Sequence, residues 1–338
     1  MSLLEISGLR VEFPSAEGPL VAIKGVDLTL DSGEVLGLVG ESGSGKSLTC
    51  RAVMRMIPEP GRITKGTIKF DGTDVTAMND SQLRHFRAHS VGMVSQNPFG
   101  SLNPVFKVGV QVAETLRVNR GRSRREAKAE AVELLDQVGI EDAKRRYDAY
   151  PHELSGGMCQ RVMIALATAS RPRLLLADEP TTALDVTTQA QILRLLSQMR
   201  REQGMAMLLV SHDFGVIAEV CDRVAVMYGG HIVETGPVDA IYHDPQHPYT
   251  RALIDSTPEL DAAGNTAARR DPISGYPPEL SEQLPGCVFA PRCKFAQPGC
   301  RSISMDLLPI GEGRASACPV RPLAGVGEHQ GERAEAGA

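Results

Sequence analysis

The sequence predicts an α/β fold: a parallel sheet covered by helices, an antiparallel β region before it and a small Cys-rich extension after it. Three observations predict this. The start of the chain alternates apolar and polar residues (LEISGLRVEF, then LVAIKGVDLTL, broken by SAEG), the pattern of antiparallel strands joined by a turn. Short apolar runs follow, each ending in polar residues: Glu34 to Val39 leads into glycines, LLLADEP is a second short buried strand and MAMLLVSHD a third. A helix from Thr187 to Gln203 separates the last two, and strand, helix, strand in that order implies parallel pairing. Beyond about Pro237 proline becomes frequent, and four of the seven Cys fall between Cys287 and Cys318.

From Ser101 to about Ala169 the pattern is helical, with an apolar face at Ala131, Leu134, Leu135 and Val138. Its basic stretch, RVNRGRSRREAKAE, reads as a solvated helix face, the alternative being a contact surface for a membrane or partner. Cys50, Cys159 and Cys221 lie in helical contexts and are expected to be small core residues. His231, His243 and His247 read as structural or surface histidines. The last residues, GVGEHQGERAEAGA, carry no core-forming pattern, and residues 323–338 are expected to be disordered. No motif occurs twice, so one catalytic unit is expected.

The 338 residues carry 36 Lys plus Arg against 41 Asp plus Glu, a net charge of −5. That balance argues against nucleic-acid binding through overall positive charge, and no nucleic-acid partner is expected. No run approaches the ~18 apolar residues of a membrane helix. The start, MSLLEISGLRVEF, reaches Glu5 before an apolar core of signal-peptide length has formed, so a cytosolic protein with reduced thiols or metal-bound cysteines is expected.

Gly40 to Ser47 reads GESGSGKS, a full match to G-x-x-x-x-G-K-[ST] between a strand and a helix. Gly40, Ser42, Gly43, Ser44 and Gly45 belong to this phosphate loop, and Thr49 just after it is a further candidate nucleotide contact. Its backbone N–H groups wrap a phosphate chain, Lys46 charges the β and γ phosphates, and the Ser47 hydroxyl is placed for Mg²⁺. LLLADE ends an apolar run in two adjacent carboxylates: Asp178 is expected to hold Mg²⁺ through water, and Glu179 to orient or deprotonate the attacking water. LSGGMCQRV, from Leu154 to Val162, opens a helix behind two glycines and makes a second anion-binding nest. The chain thus has two phosphate grips and one P-loop lysine.

GESGSGKS, Gln96 in VSQNP, LSGGMCQ, LLLADEP, Ala183-Leu184-Asp185 and His212 in VSHD, in this order, resemble the nucleotide-binding subunits of ABC transporters, over roughly Leu3 to Asp255. The resemblance implies a P-loop NTPase cassette over 3–255, with a helical signature subdomain at about 97–170. It implies that Ser155, Gly156 and Gly157 contact ATP held by a second ATPase subunit, and that Gln96 is the lid glutamine sensing Mg²⁺ and water. It further implies that His212 contacts the γ-phosphate and that Asp185 links the two halves. Phe13 falls where the family stacks an aromatic on adenine; the alternative is a core Phe in an edge strand. Met158 stands where most signatures carry Gln, and the peptide-importer branch commonly shows Met there.

SLNPVF, VMYGGHIVETGP, HPYTRALI (His247 to Ile254) and PGCVFAPRC resemble the oligopeptide/dipeptide and nickel import ATPases. The implied assembly adds two membrane permeases and an extracytoplasmic solute-binding protein, with this chain peripheral on the cytoplasmic face. Peptide uptake is the expected work; nickel or another small solute, and a soluble non-transport ABC ATPase, are the alternatives.

Within the extension, 256–322, Cys287, Cys293, Cys300 and Cys318 are spaced C-x5-C-x6-C-x17-C. Four thiolates on a loop-rich segment suit tetrahedral zinc or an iron–sulfur cluster, and spacing alone leaves both open. Resemblance to the peptide-import branch favours [4Fe–4S]. The segment after Pro285 is expected to lie far from the P-loop.

Overall fold

A computed structural model of the chain describes residues 2–182, 184–256, 273–279, 284–311 and 313–320. The expected disordered tail and Ala183 lie outside the described residues. β1 (Ser2–Phe13) and β2 (Leu20–Asp31) pair antiparallel, burying Leu4, Ile6, Leu9 and Val11 on one and Ile23, Val26, Leu28 and Leu30 on the other. β3 (Val35–Val39) is buried along its whole length, as a strand covered on both faces must be, and runs into the P-loop and α1 (Lys46–Val53). β4 (Arg62–Phe70) and β5 (Thr73–Asp74) complete a four-stranded sheet in the order β2-β1-β4-β5. α2 (Asp80–His89), opened by an Asn79–Gln82 capping box, leads to β6 (Val91–Val94), a parallel strand the sequence reading did not single out.

The helical region is broken into α3 (Pro98–Ser101), α4 (Val108–Arg120), α5 (Arg124–Gln137), α6 (Ala143–Arg146) and α7 (Gly156–Thr168). The basic stretch spans the break between α4 and α5. Gly121 ends α4 at φ 63° and Ser123 opens α5 with a capping box to Glu126. Its arginines meet acids of the same region: Arg117 pairs with Glu114 at 2.7 Å and Arg122 with Glu130 at 2.9 Å. Ala131, Leu134, Leu135 and Val138 are buried in the helical core, as is Leu116 of α4.

β7 (Leu174–Asp178), α8 (Val186–Gln203), β8 (Ala206–Ser211), α9 (Phe214–Val220) and β9 (Arg223–Tyr228) build the parallel sheet. β10 (His231–Pro237) turns back antiparallel on β9, and α10 (Val238–His243) and α11 (Pro248–Ser256) follow. Cys50 and Cys159 sit inside α1 and α7, whereas Cys221 lies just past α9; all three are buried.

The C-terminal segment adds β11 (Leu308–Gly311) and β12 (Arg314–Ser316), and β12 pairs with β10 through Glu234 and Ser316. The main sheet therefore runs β11-β12-β10-β9-β3-β8-β7-β6. Cys287, Val288, Phe289 and Cys300 pack in the same hydrophobic core as α4, α5 and α7. The extension is built into the cassette, and the expectation that it stands far from the P-loop is not met: Arg292, beside Cys293, pairs with Glu41 of the loop at 2.6 Å. Strand pairing and core packing bring together what sequence separation keeps apart.

Candidate functional site

The P-loop leaves the C-terminal end of β3, which lies between β9 and β8, the edge of a parallel sheet where ligands bind. Its shape depends on glycine. A Cβ on Gly40 would stand 2.0 Å from the Met227 carbonyl oxygen, and Gly45 holds φ 109°, which only glycine adopts at no steric cost. Gly45 also caps α1 without a side-chain hydrogen bond, and no acid stands in the first turn. The N–H groups there are thus left for an anion.

Lys46 is 4% exposed; its ammonium donates to the carbonyls of Gly40 at 2.8 Å and Glu41 at 2.9 Å. Burial pulls its pKa down, against the opposing pull of Glu179, Asp178 and Glu41. The Ser47 hydroxyl donates to Asp178 Oδ1 at 2.7 Å, and Thr49 Oγ1 donates to the Gly45 carbonyl at 3.0 Å. Ser42 and Gly43 lie on the same loop, and Ser44 Oγ is buried with no partner among the described residues.

Asp178 ends β7 and is buried, and that burial pushes its pKa up against the Ser47 hydrogen bond. Glu179, next in the chain, holds φ 47°, a left-handed conformation that costs a non-glycine residue about 1–3 kcal/mol and clusters at functional sites. Glu179 Oε2 is a meeting point. It accepts from Gln96 Nε2 at 3.0 Å and from Thr182 Oγ1 at 2.8 Å, and it lies 3.3 Å from His212 Nδ1. Gln96, Glu179 and His212 follow the adjacent strands β6, β7 and β8, so the sheet order itself brings them together. Sequence reasoning missed Thr182; its signal was a hydroxyl three residues after the proposed base.

Ser155 caps α7, its Oγ accepting from the Met158 N–H at 3.3 Å, and Gly156 and Gly157 form the first turn. Among the described residues no hydrogen bond joins these three to Lys46, Ser47, Asp178 or Glu179. Asp185 caps α8, accepting from the Thr188 N–H at 3.0 Å and the Thr188 hydroxyl at 2.7 Å, bonds that hold its carboxyl below the usual range. Phe13 ends β1, packs on the core and abuts Gly61. β1 lies between β2 and β4, so Phe13 packs on the core from an interior strand and not from an edge strand.

Cys287, Cys293, Cys300 and Cys318 all line one small cavity with His247 and Phe289. The donor set suits a thiophilic group. The Phe295 and Gln297 N–H groups donate to the sulfurs of Cys293 and Cys300, both at 3.4 Å. His247 is fully buried; its Nδ1 accepts from the Tyr249 N–H at 3.1 Å, leaving Nε2 with no partner among the described residues. The side chains do not form a ready-made ligand shell: among the described residues no three His, Cys, Asp or Glu stand in metal-holding geometry. Burial pushes the Cys287 and Cys293 thiols up and Cys318 up to about 11, and the Cys318 thiol donates to the Val320 carbonyl at 3.0 Å. His231 is half-buried and its pKa is pushed down to about 4, while His243 ends α10.

Residues 23–182 match the ABC transporter family, and residues 233–300 match the oligopeptide/dipeptide transporter C-terminal region. A Brucella abortus (strain 2308) protein named for peptide import and ATP binding is 48% identical over 319 residues, covering 94% of this chain and 95% of the relative. A Brucella ovis protein with the same description is 47% identical over 340 residues, covering 98% and 96%. Among solved structures, the ATP-binding cassette MJ0796, in a dimeric post-hydrolysis state bound to ADP and Pi, matches with a TM-score of 0.64 at 29% identity. That match covers 70% of this chain and 98% of the other. The cbiO1 protein of Clostridium perfringens, part of the ABC transporter complex cbiONQ, matches with a TM-score of 0.61 at 27% identity, covering 72% and 91%. No described helix is long and apolar enough to cross a membrane.

Proposed function

The chain belongs to the ATP-binding subunits of ABC transporters, in the branch that carries the oligopeptide/dipeptide transporter C-terminal region, and we propose that it hydrolyses ATP to drive peptide import. The observation that carries this reading is the convergence of Gln96, Thr182 and His212 on Glu179 Oε2, beside the Ser47–Asp178 contact. Mg²⁺–ATP is the substrate. The amides of the Gly40–Ser47 loop, with Thr49 behind them, cradle its phosphates, and Lys46 neutralises the β and γ charges. Ser47, Asp178 and Gln96 surround the Mg²⁺, and Phe13 stacks on adenine. Glu179 accepts a proton from the attacking water as the water oxygen bonds the γ-phosphorus and the bond to the ADP oxygen breaks, giving ADP and phosphate. His212 donates toward the γ-phosphate, whose negative charge grows exposed during transfer.

Ser155, Gly156 and Gly157 serve a second nucleotide. Among the described residues no hydrogen bond joins them to the P-loop of their own chain, and this, with the dimeric state of the MJ0796 relative, supports two cassettes closing on two shared ATP molecules with Asp185 between the halves. Two permeases and a solute-binding protein complete the transporter, and the chain acts at the cytoplasmic face as a peripheral subunit. Cys287, Cys293, Cys300 and Cys318 would hold a [4Fe–4S] cluster in preference to zinc; the four sulfurs on one cavity and the unpartnered His247 Nε2 support a bound group there. Bound, it would cross-link the segment and supply part of its folding free energy.

The test is the complex purified with its co-expressed neighbours and placed in vesicles. Peptides should stimulate ATP hydrolysis and be taken up; stimulation by nickel ions without any response to peptides would replace the proposed solute.

A further inference from the structure

Glu41, the second residue of the P-loop motif, is held by the C-terminal half of the chain. Its carboxylate accepts both terminal nitrogens of Arg292, at 2.6 and 3.0 Å. Its N–H donates to the Tyr249 hydroxyl at 2.8 Å. Its carbonyl in turn accepts the Lys46 ammonium at 2.9 Å and the Ser44 N–H at 3.2 Å. One residue thus connects the C-terminal region to the phosphate-binding lysine.

The arginine is fixed before it meets the loop. Its side chain is 6% exposed, Nε donates to the Ser274 carbonyl at 2.9 Å, and Nη1 also donates to the Tyr228 hydroxyl at 3.1 Å. Tyr249 is fully buried, its ring 4.5 Å from that of Tyr228 and 5.3 Å from that of Phe289. A planar fork held this way meets a carboxylate in a geometry that lysine does not reproduce.

A glutamate in a loop that wraps a polyphosphate works against its ligand, because like charges repel across a partly desolvated site. The bidentate arginine cancels that charge and anchors the carbonyl that carries Lys46. We propose that Arg292, assisted by Tyr249, is a positioning residue for ATP: acting through Glu41, it sets the P-loop and masks the Glu41 charge from the phosphates. The C-terminal region is then a working part of the nucleotide site. This rests on the P-loop reading above.

The experiment measures Mg²⁺–ATP affinity of the full-length chain, and KM against kcat in the assembled transporter. Arg292→Ala should raise Kd and KM about tenfold with kcat within about twofold, because the lone carboxylate is left facing the phosphates. Adding Glu41→Gln to Arg292→Ala should recover most of the loss, a rescue that a merely structural arginine would not show. Should Arg292→Ala fold poorly, Arg292→Lys gives the same contrast at about threefold, since the charge stays and the fork is lost. A folded Arg292 variant with unchanged Kd, or a double variant weaker than the single one, overturns the proposal. Lys46→Ala separates the two readings: if it leaves ATP affinity intact, the nucleotide site itself is wrong, whereas weakened binding there with no effect at Arg292 removes only the clamp.

Discussion

The Ser47 hydroxyl donates to Asp178 Oδ1 at 2.7 Å, joining the first turn of α1 to the tip of β7. In the proposed site, this hydroxyl and buried carboxylate, in contact across so much sequence, would together hold the Mg²⁺ that accompanies ATP. Lys46 and Glu179 flank that contact, and each variant below separates one part of the site from the others.

Lys46→Ala and Ser155→Ala should fail in different ways. The first removes the buried charge facing the phosphates, and ATP affinity of the monomer should fall at least about tenfold. The second should leave monomer affinity within about twofold while lowering hydrolysis by the dimer about tenfold, since in the proposed dimer its hydroxyl serves the partner's nucleotide. Equal losses of monomer affinity would place the signature and the P-loop around the same ATP and end the composite-site model.

In the proposed cluster site, Cys293→Ser should release the metal and loosen the segment after Pro285. Protein purified anaerobically should be brown, absorb near ~400 nm and hold about four irons per chain for a cubane cluster, whereas zinc gives colourless protein with about one metal. Cys50→Ser, inside α1, should leave metal content unchanged. Because Arg292 adjoins Cys293, Cys293→Ser should also weaken ATP binding. Metal analysis finding neither iron nor zinc in the wild-type chain would reject the site.

His231 should make the fold acid-sensitive. Burial, with Lys24 and Arg10 nearby, pushes its pKa down to about 4, so the folded state favours the neutral ring. The stability this provides is full above the unfolded pKa of about 6.5 and is lost as pH falls from there toward about 4. Melting temperatures of His231→Gln measured across that window should fall less steeply than those of the wild type; parallel curves would mean that other groups carry the acid response.

The sequence made the chemistry legible because each motif is local. GESGSGKS announces a phosphate loop by its own glycines, lysine and serine, and the buried strand before Asp178 announces itself by composition. What stayed hidden is non-local. β6 is only four residues long, too short for a periodicity signal. β11 is mostly exposed and gains its place by pairing with β12, which in turn pairs with β10. The Arg292–Glu41 pair becomes visible only when chain return brings its partners together, whereas Thr182 sits three residues from Glu179 and its local signal went unread. The cysteine spacing likewise identified four sulfurs that share a cavity, while the ligand geometry itself could not be read from it.

Glu179→Gln, measured in the assembled transporter, tests the central claim most directly. The amide keeps the shape and can still meet Gln96 and Thr182, yet it cannot take the proton from water. ATP should bind with affinity close to wild type, closed dimers should accumulate, and turnover should fall about 10²- to 10⁴-fold. Near-normal turnover by this variant would contradict the account.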